Sequence, residues 1–190
     1  MPGSFLVSTA VVAVVEIGDK TQLLSLLLAA RYRKPVPIIA GILIATLLNH
    51  GFAALVGEWL RALMSPDVAR WVLGGSLLAI AAWVLVPDKL DDTAPVATRW
   101  GVFAVTLVSF FLAEMGDKTQ VATVVIAAEY RDLVTVVFGT TLGMLIANVP
   151  AVLLGSAAAH RLPLKAVRAC AALLFFALGV FILIGSPTPG

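Results

Sequence analysis

Apolar runs long enough to cross a bilayer, broken by short charged or proline-bearing stretches, dominate the pattern along this chain. A hydrocarbon core about 30 Å thick takes about 20 apolar residues at about 1.5 Å each in a helix. Six stretches reach that length, roughly 4–30, 36–57, 68–86, 100–128, 133–155 and 164–186. Membrane-barrel strands would alternate polar and apolar side chains, whereas Ile38–Leu48 and Ala171–Ile184 carry no such alternation. The pattern predicts an all-α integral membrane protein with six transmembrane helices.

Composition strengthens this reading. Of 190 residues, 61% are hydrophobic and only 13% charged, against about 25% charged in soluble proteins. Mean hydropathy is +1.03. Too little polar surface is available to clothe a water-facing globule, which excludes a cytosolic enzyme, a nucleic-acid binder and a disordered linker. A net charge of +2 does not argue for a polyanionic partner, and the single Cys170 cannot close an internal disulfide. Met1–Ala10 has no basic side chain and leads into further apolar sequence, so no cleaved secretory signal is expected.

Shifting the chain against itself by 98 positions, without a gap, aligns residues 1–92 with 99–190 and gives 22 identities in 92. Six of these are Glu16, Gly18, Asp19, Lys20, Thr21 and Gln22, which recur as Glu114, Gly116, Asp117, Lys118, Thr119 and Gln120. The expected organisation is two three-helix repeats, 1–92 and 99–190, joined through a linker at 87–99 and forming one membrane domain. Three is an odd number of crossings, so the second repeat enters from the opposite side and the repeats are inverted.

Loop charges set the orientation. Residues 31–35, 87–99 and 156–168 hold eight basic side chains (Arg31, Arg33, Lys34, Lys89, Arg99, Arg161, Lys165, Arg168), and the opposite side three (Arg61, Arg70, Arg131). By the positive-inside rule the first group is cytoplasmic, and both termini are expected on the non-cytoplasmic side of an inner membrane. Tyr32, Tyr130, Trp59, Trp71, Trp83 and Trp100, near helix ends, read as interfacial anchors.

The chemistry is expected where charge sits inside the apolar runs. A charged side chain at membrane depth costs several kcal/mol unless it is paired or faces a wet cavity. Continued as one helix at about 100° per residue, Glu16, Asp19 and Lys20 share an arc of about 100°, with Gln22 beyond Asp19. The same holds for Glu114, Asp117, Lys118 and Gln120, so two polar stripes entering from opposite sides can meet near the midplane. Four carboxylates and two ammonium groups sum to −2. One divalent cation or two protons would neutralise that charge, which is the physical case for cation/proton exchange. Carboxylate and carboxamide oxygens suit Ca²⁺, Mg²⁺ or Mn²⁺. The expected metal ligands are Glu16, Asp19, Gln22, Glu114, Asp117 and Gln120. Lys20 and Lys118 are expected in ion pairs that hold the carboxylates; the bland version is an i, i+4 staple of Glu16 with Lys20 and Glu114 with Lys118.

Several helpers have two readings. Thr21, Thr119, Ser25 and Thr123 supply hydroxyl ligands or bond back to their own helix. Asn49, His50 and Asn148 line the site or join helices by hydrogen bonds. Gly18 and Gly116, costly inside a helix, allow close contact or local unwinding that bares carbonyl oxygens. Pro150 implies a kink beside Asn148.

The pattern Glu-x-Gly-Asp-Lys-Thr, at Glu16–Thr21 and Glu114–Thr119, resembles the signature of the Gdt family of cation/proton exchangers. The resemblance extends over the whole chain. It implies two inverted three-helix halves and transport of Mn²⁺ or Ca²⁺ against protons, with Glu16, Asp19, Glu114 and Asp117 as the cation site. The chain lacks long N-terminal extensions and long acidic central loops, and is similar to the compact bacterial branch of manganese exporters. The function expected is therefore export of a divalent cation, Mn²⁺ before Ca²⁺, with the ion as cargo and no resident cofactor. The rival classes are a membrane enzyme, a scaffold whose polar stripes direct assembly, and an exporter of organic cations. No zincin, nucleophile-elbow or phosphate-loop motif supports the enzyme.

Overall fold

The computed structural model describes residues 2–86, 101–154 and 164–185, and the regular structure of these residues is entirely helical. The elements are α1 (Pro2–Glu16), α2 (Lys20–Tyr32), α3 (Pro35–Leu63), α4 (Pro66–Val84), α5 (Gly101–Glu114), α6 (Lys118–Tyr130), α7 (Leu133–Leu154) and α8 (Leu164–Ile184). The expected linker at 87–99, with Lys89 and Arg99, and the loop carrying Arg161 lie outside the described residues.

Local sequence explains the helix ends. Pro35 and Pro66 open α3 and α4 in the first turn, where a missing N–H costs nothing. Ser65 caps α4 by accepting from the Val68 N–H at 3.4 Å. Asp132 accepts the Thr135 N–H at 3.2 Å at the start of α7. Arg33 and Arg131, at equivalent repeat positions, close α2 and α6 in the left-handed conformation, with φ of 52° and 51°.

α3, α4, α7 and the Lys165–Ile184 portion of α8 are each long and apolar enough to cross a membrane, while Gly3–Glu16 and Gly101–Glu114 are shorter apolar helices. The outer faces of α3 and α8 expose Phe52, Trp59, Phe181 and Ile184. Hydrocarbon is the solvent that such faces match, and the chain is a multi-pass membrane protein.

Two expectations need correction. The apolar stretches 4–30 and 100–128 are not continuous helices: the first breaks between Glu16 and Lys20, the second between Glu114 and Lys118. Gly18 (φ 82°) and Gly116 (φ 75°) take the left-handed conformation that a side chain resists, and Asp19 and Asp117 follow in extended geometry as N-caps. The arc computed on an unbroken helix therefore does not describe how the polar groups are presented.

The halves are packed through each other. α1 lies mainly on α7 and α5 on α3, while α3 also packs on α6, α7 on α2, and α4 on α8. Each of these pairings has its counterpart when the repeats are exchanged. Glycine makes the α3–α5 and α1–α7 crossings close. A Cβ on Gly41 would sit 2.8 Å from Thr106 Cβ and 3.0 Å from Phe103 O, and one on Gly139 2.8 Å from Phe5 O and 2.9 Å from Ser8 Cβ.

These crossings generate a prediction. Gly41→Val and Gly139→Val should each destabilise the detergent-solubilised protein by about 1–3 kcal/mol through overpacking. Gly75→Ala, where an added Cβ meets nothing within 4 Å, should not. Thermal midpoints of the three variants measure the difference, and equal midpoints would refute the crossing geometry.

Candidate functional site

At each helix break the chain exposes backbone groups that need partners. The Gly18 N–H donates to the Gln22 side-chain oxygen at 2.8 Å, and the Gly116 N–H to that of Gln120 at 2.6 Å. Each glutamine is three residues beyond its capping aspartate and reaches back across the break, a variant of the capping box. The two amide oxygens expected as cation ligands are thus turned to the backbone. Their NH₂ groups tie the breaks to the long helices: Gln22 Nε2 donates to Ala147 O at 2.9 Å, and Gln120 Nε2 to Asn49 Oδ1 at 3.5 Å.

The two motifs meet in the interior and exchange ion-pair partners. Lys20 Nζ lies 3.3 Å from Asp117 Oδ1, and Lys118 pairs with Asp19 in the reciprocal arrangement. This corrects the within-helix staple: each lysine binds the aspartate of the other half. The pairs differ in access. The side chain of Lys118 is 4% exposed and that of Lys20 26%, and Met115 and Gly116 are exposed whereas Gly18 is buried. The centre is therefore nearer the surface on the side of the α5–α6 break.

The glutamates are also unequal. Glu16 accepts hydrogen bonds from two hydroxyls, Thr21 on Oε2 and Thr119 on Oε1, the latter at 2.5 Å. Glu114, its equivalent, faces His50, with Oε1 3.7 Å from Nε2. Glu16, Asp19 and Asp117 are all buried, and one carboxylate oxygen from each lies within 4.8 Å of the others. Three acids from two halves in this span form a donor set of the kind that holds a hard divalent cation, with water completing the shell.

The helpers divide. Thr21 and Thr119 reach the acids, whereas Thr123 bonds back to Thr119 O at 2.9 Å and Ser25 donates to Asn148 Oδ1 at 2.7 Å. Asn49 braces α5 through Phe111 O at 3.1 Å. Asn148 donates to Met144 O at 3.0 Å on its own helix, which contains Pro150. The signal for the bracing role of the glutamines is Asp-x-x-Gln at Asp19–Gln22 and Asp117–Gln120, a helix-start pattern that an unbroken apolar stretch masks.

A family model described as "Divalent cation/proton antiporter GDT1" matches residues 4–92 and 102–189. The chain belongs to the GDT1 family. The two matched segments begin 98 residues apart (102 − 4), the offset that superposes the two motifs. Among relatives, a Vibrio cholerae serotype O1 protein named "Putative manganese exporter" is 52% identical over 92% of this chain and 87% of its own length. "GDT1-like protein sll0615" of Synechocystis is 28% identical over 93% of this chain and 95% of its own length. "GDT1-like protein 4" of Oryza sativa subsp. indica is 28% identical over 90% of this chain and 70% of its own length. No solved structure matches the chain significantly. Membership of a cation/proton antiporter family agrees with the resemblance carried by the motifs and with a transport class rather than an enzyme.

The crossed ion pairs yield a second prediction. Removing one partner of a buried pair leaves an uncompensated charge, at a cost of about 3–5 kcal/mol. Lys118→Met should destabilise the GDT1-family fold by that order, and Lys20→Met by less, because Lys20 is partly exposed. Double-mutant cycles for residues 19 with 118 and 20 with 117 test this, and equal coupling energies would contradict it.

Proposed function

We propose that this chain is an inner-membrane secondary transporter that exports Mn²⁺ in exchange for protons. In this reading α1–α2 and α5–α6 each count as one interrupted crossing. With α3, α4, α7 and α8 they make six, arranged as inverted repeats 1–92 and 99–190 with both termini on the non-cytoplasmic side. The supporting observation is the convergence of Glu16, Asp19 and Asp117, one carboxylate oxygen of each within 4.8 Å of the others, at the junction of the two interrupted helices. The name of the Vibrio relative favours Mn²⁺ as the cargo.

Binding and exchange follow from charge. Glu16, Asp19, Glu114 and Asp117 hold the cation or protons, and Lys20 and Lys118 reduce the summed charge of the six groups to −2. An entering cation competes with the lysines for Asp19 and Asp117, so the crossed pairs loosen as metal arrives. Thr21 and Thr119 orient Glu16. Gln22 and Gln120 hold the breaks open and reach the ion only by releasing Gly18 and Gly116. Deprotonated carboxylates bind metal and protonated ones do not, so both cargoes use one set of oxygens and alternate. The all-oxygen character of the three-acid cluster also suits Ca²⁺, the second reading.

The expected outcome in proteoliposomes with an internal pH dye is loss of Mn²⁺-driven proton movement in both Asp19→Asn and Asp117→Asn. Each variant must first be shown to be folded by its elution and thermal midpoint. Full activity in both would remove the acids from the mechanism.

A further inference from the structure

Beside the three-acid cluster lie Glu114 and His50, both buried. Both carboxylate oxygens of Glu114 and both ring nitrogens of His50 lack a hydrogen-bond partner among the described residues. Buried polar groups with a packing role are ordinarily hydrogen-bonded. The repeat supplies an internal comparison, since the position equivalent to His50 at the 98-residue offset is Asn148. Asn148 is engaged on both sides of its amide, donating to Met144 O at 3.0 Å and accepting from Ser25 at 2.7 Å. Among the described residues His50 has neither kind of partner, and it aims Nε2 at Glu114 Oε1, 3.7 Å away. That separation exceeds a hydrogen bond but falls below the sum of two metal–ligand bonds of about 2.0–2.2 Å each. Oδ2 of Asp117, three residues beyond Glu114, is likewise unpartnered among the described residues.

We propose that His50 Nε2 and Glu114 form a nitrogen-bearing station for the transported cation, and that this nitrogen selects transition-type divalent ions such as Mn²⁺ over Ca²⁺ and Mg²⁺. The inference rests on the transport function proposed above. The neighbouring acid cluster offers oxygen alone and does not separate these ions by ligand type. Imidazole suits transition metals, while Ca²⁺ and Mg²⁺ favour oxygen ligands, so one histidine on the route adds discrimination that the motifs lack. His50 belongs to α3 and is absent from the second repeat. The nitrogen therefore comes from the first half only, facing Glu114 of the second.

Two measurements test the station. Pulsed electron paramagnetic resonance of Mn²⁺ bound to the purified protein reads nitrogen coupling directly, and competitive uptake into proteoliposomes reads the Mn²⁺ to Ca²⁺ transport ratio. Wild type should show imidazole nitrogen coupling. His50→Asn, which installs the residue of the other repeat, and His50→Gln, which keeps length and offers oxygen, should both lose it. The transport ratio should fall by at least about tenfold, the low end of what losing a supporting partner costs a metal site. Bound Mn²⁺ without nitrogen coupling in an active wild type, or an unchanged ratio in both variants, overturns this inference and leaves the transport reading standing. A wild type that moves no divalent cation defeats the transport reading and this inference with it.

Discussion

The crossed pairing of Lys20 with Asp117 and Lys118 with Asp19 is the constraint on which the centre depends. An ammonium or carboxylate sealed in low dielectric without a counter-charge costs several kcal/mol. Each lysine takes its counter-charge from the other half. The halves must therefore interleave, and the pairings of α1 with α7 and α5 with α3 follow as the packing that brings residues 19, 20, 117 and 118 together. Gly41 and Gly139 permit that packing by admitting the backbones of α5 and α1 to close range.

Broken helices turn this electrostatic lock into a candidate site. In a continuous helix the carboxylates of Glu16 and Asp19 would be fixed to one rod. The positive φ of Gly18 and Gly116 lets each chain change direction between its glutamate and its aspartate. The N-termini of α2 and α6, with their positive dipole ends, then follow directly on Asp19 and Asp117. Glutamine braces keep the opened backbone satisfied, so the break needs no water at the Gly18 and Gly116 amides. The two halves use the same parts and reach unequal states: Glu16 is held by two threonines, Glu114 faces His50, and the two lysines differ in exposure.

Much of this was legible in the sequence. The 98-residue offset exposed the duplication, and the cost of charge within apolar runs singled out Glu16, Asp19 and Asp117, which the structure brings together. The Gly-Asp pairs at 18–19 and 116–117 carried the break signal, but continuous hydrophobicity over 4–30 and 100–128 outweighed it, since an apolar window registers length and not backbone direction. Partner choice was not legible. Lys20 has Glu16 four residues away and takes Asp117 instead, 97 residues on (117 − 20), because tertiary approach decides which carboxylate is desolvated beside it. The facing of His50 and Glu114 across α3 and α5 was hidden for the same reason.

The central claim is that six charged groups summing to −2 are neutralised equally by one divalent cation or by two protons. It is tested most directly by the equilibrium distribution of Mn²⁺ across proteoliposomes held at a fixed pH gradient, with the membrane potential clamped at several values. The account predicts a distribution set by the square of the proton ratio and independent of voltage. A distribution that shifts by about fifty-fold per 100 mV, the effect of one uncompensated charge per cycle, would contradict it.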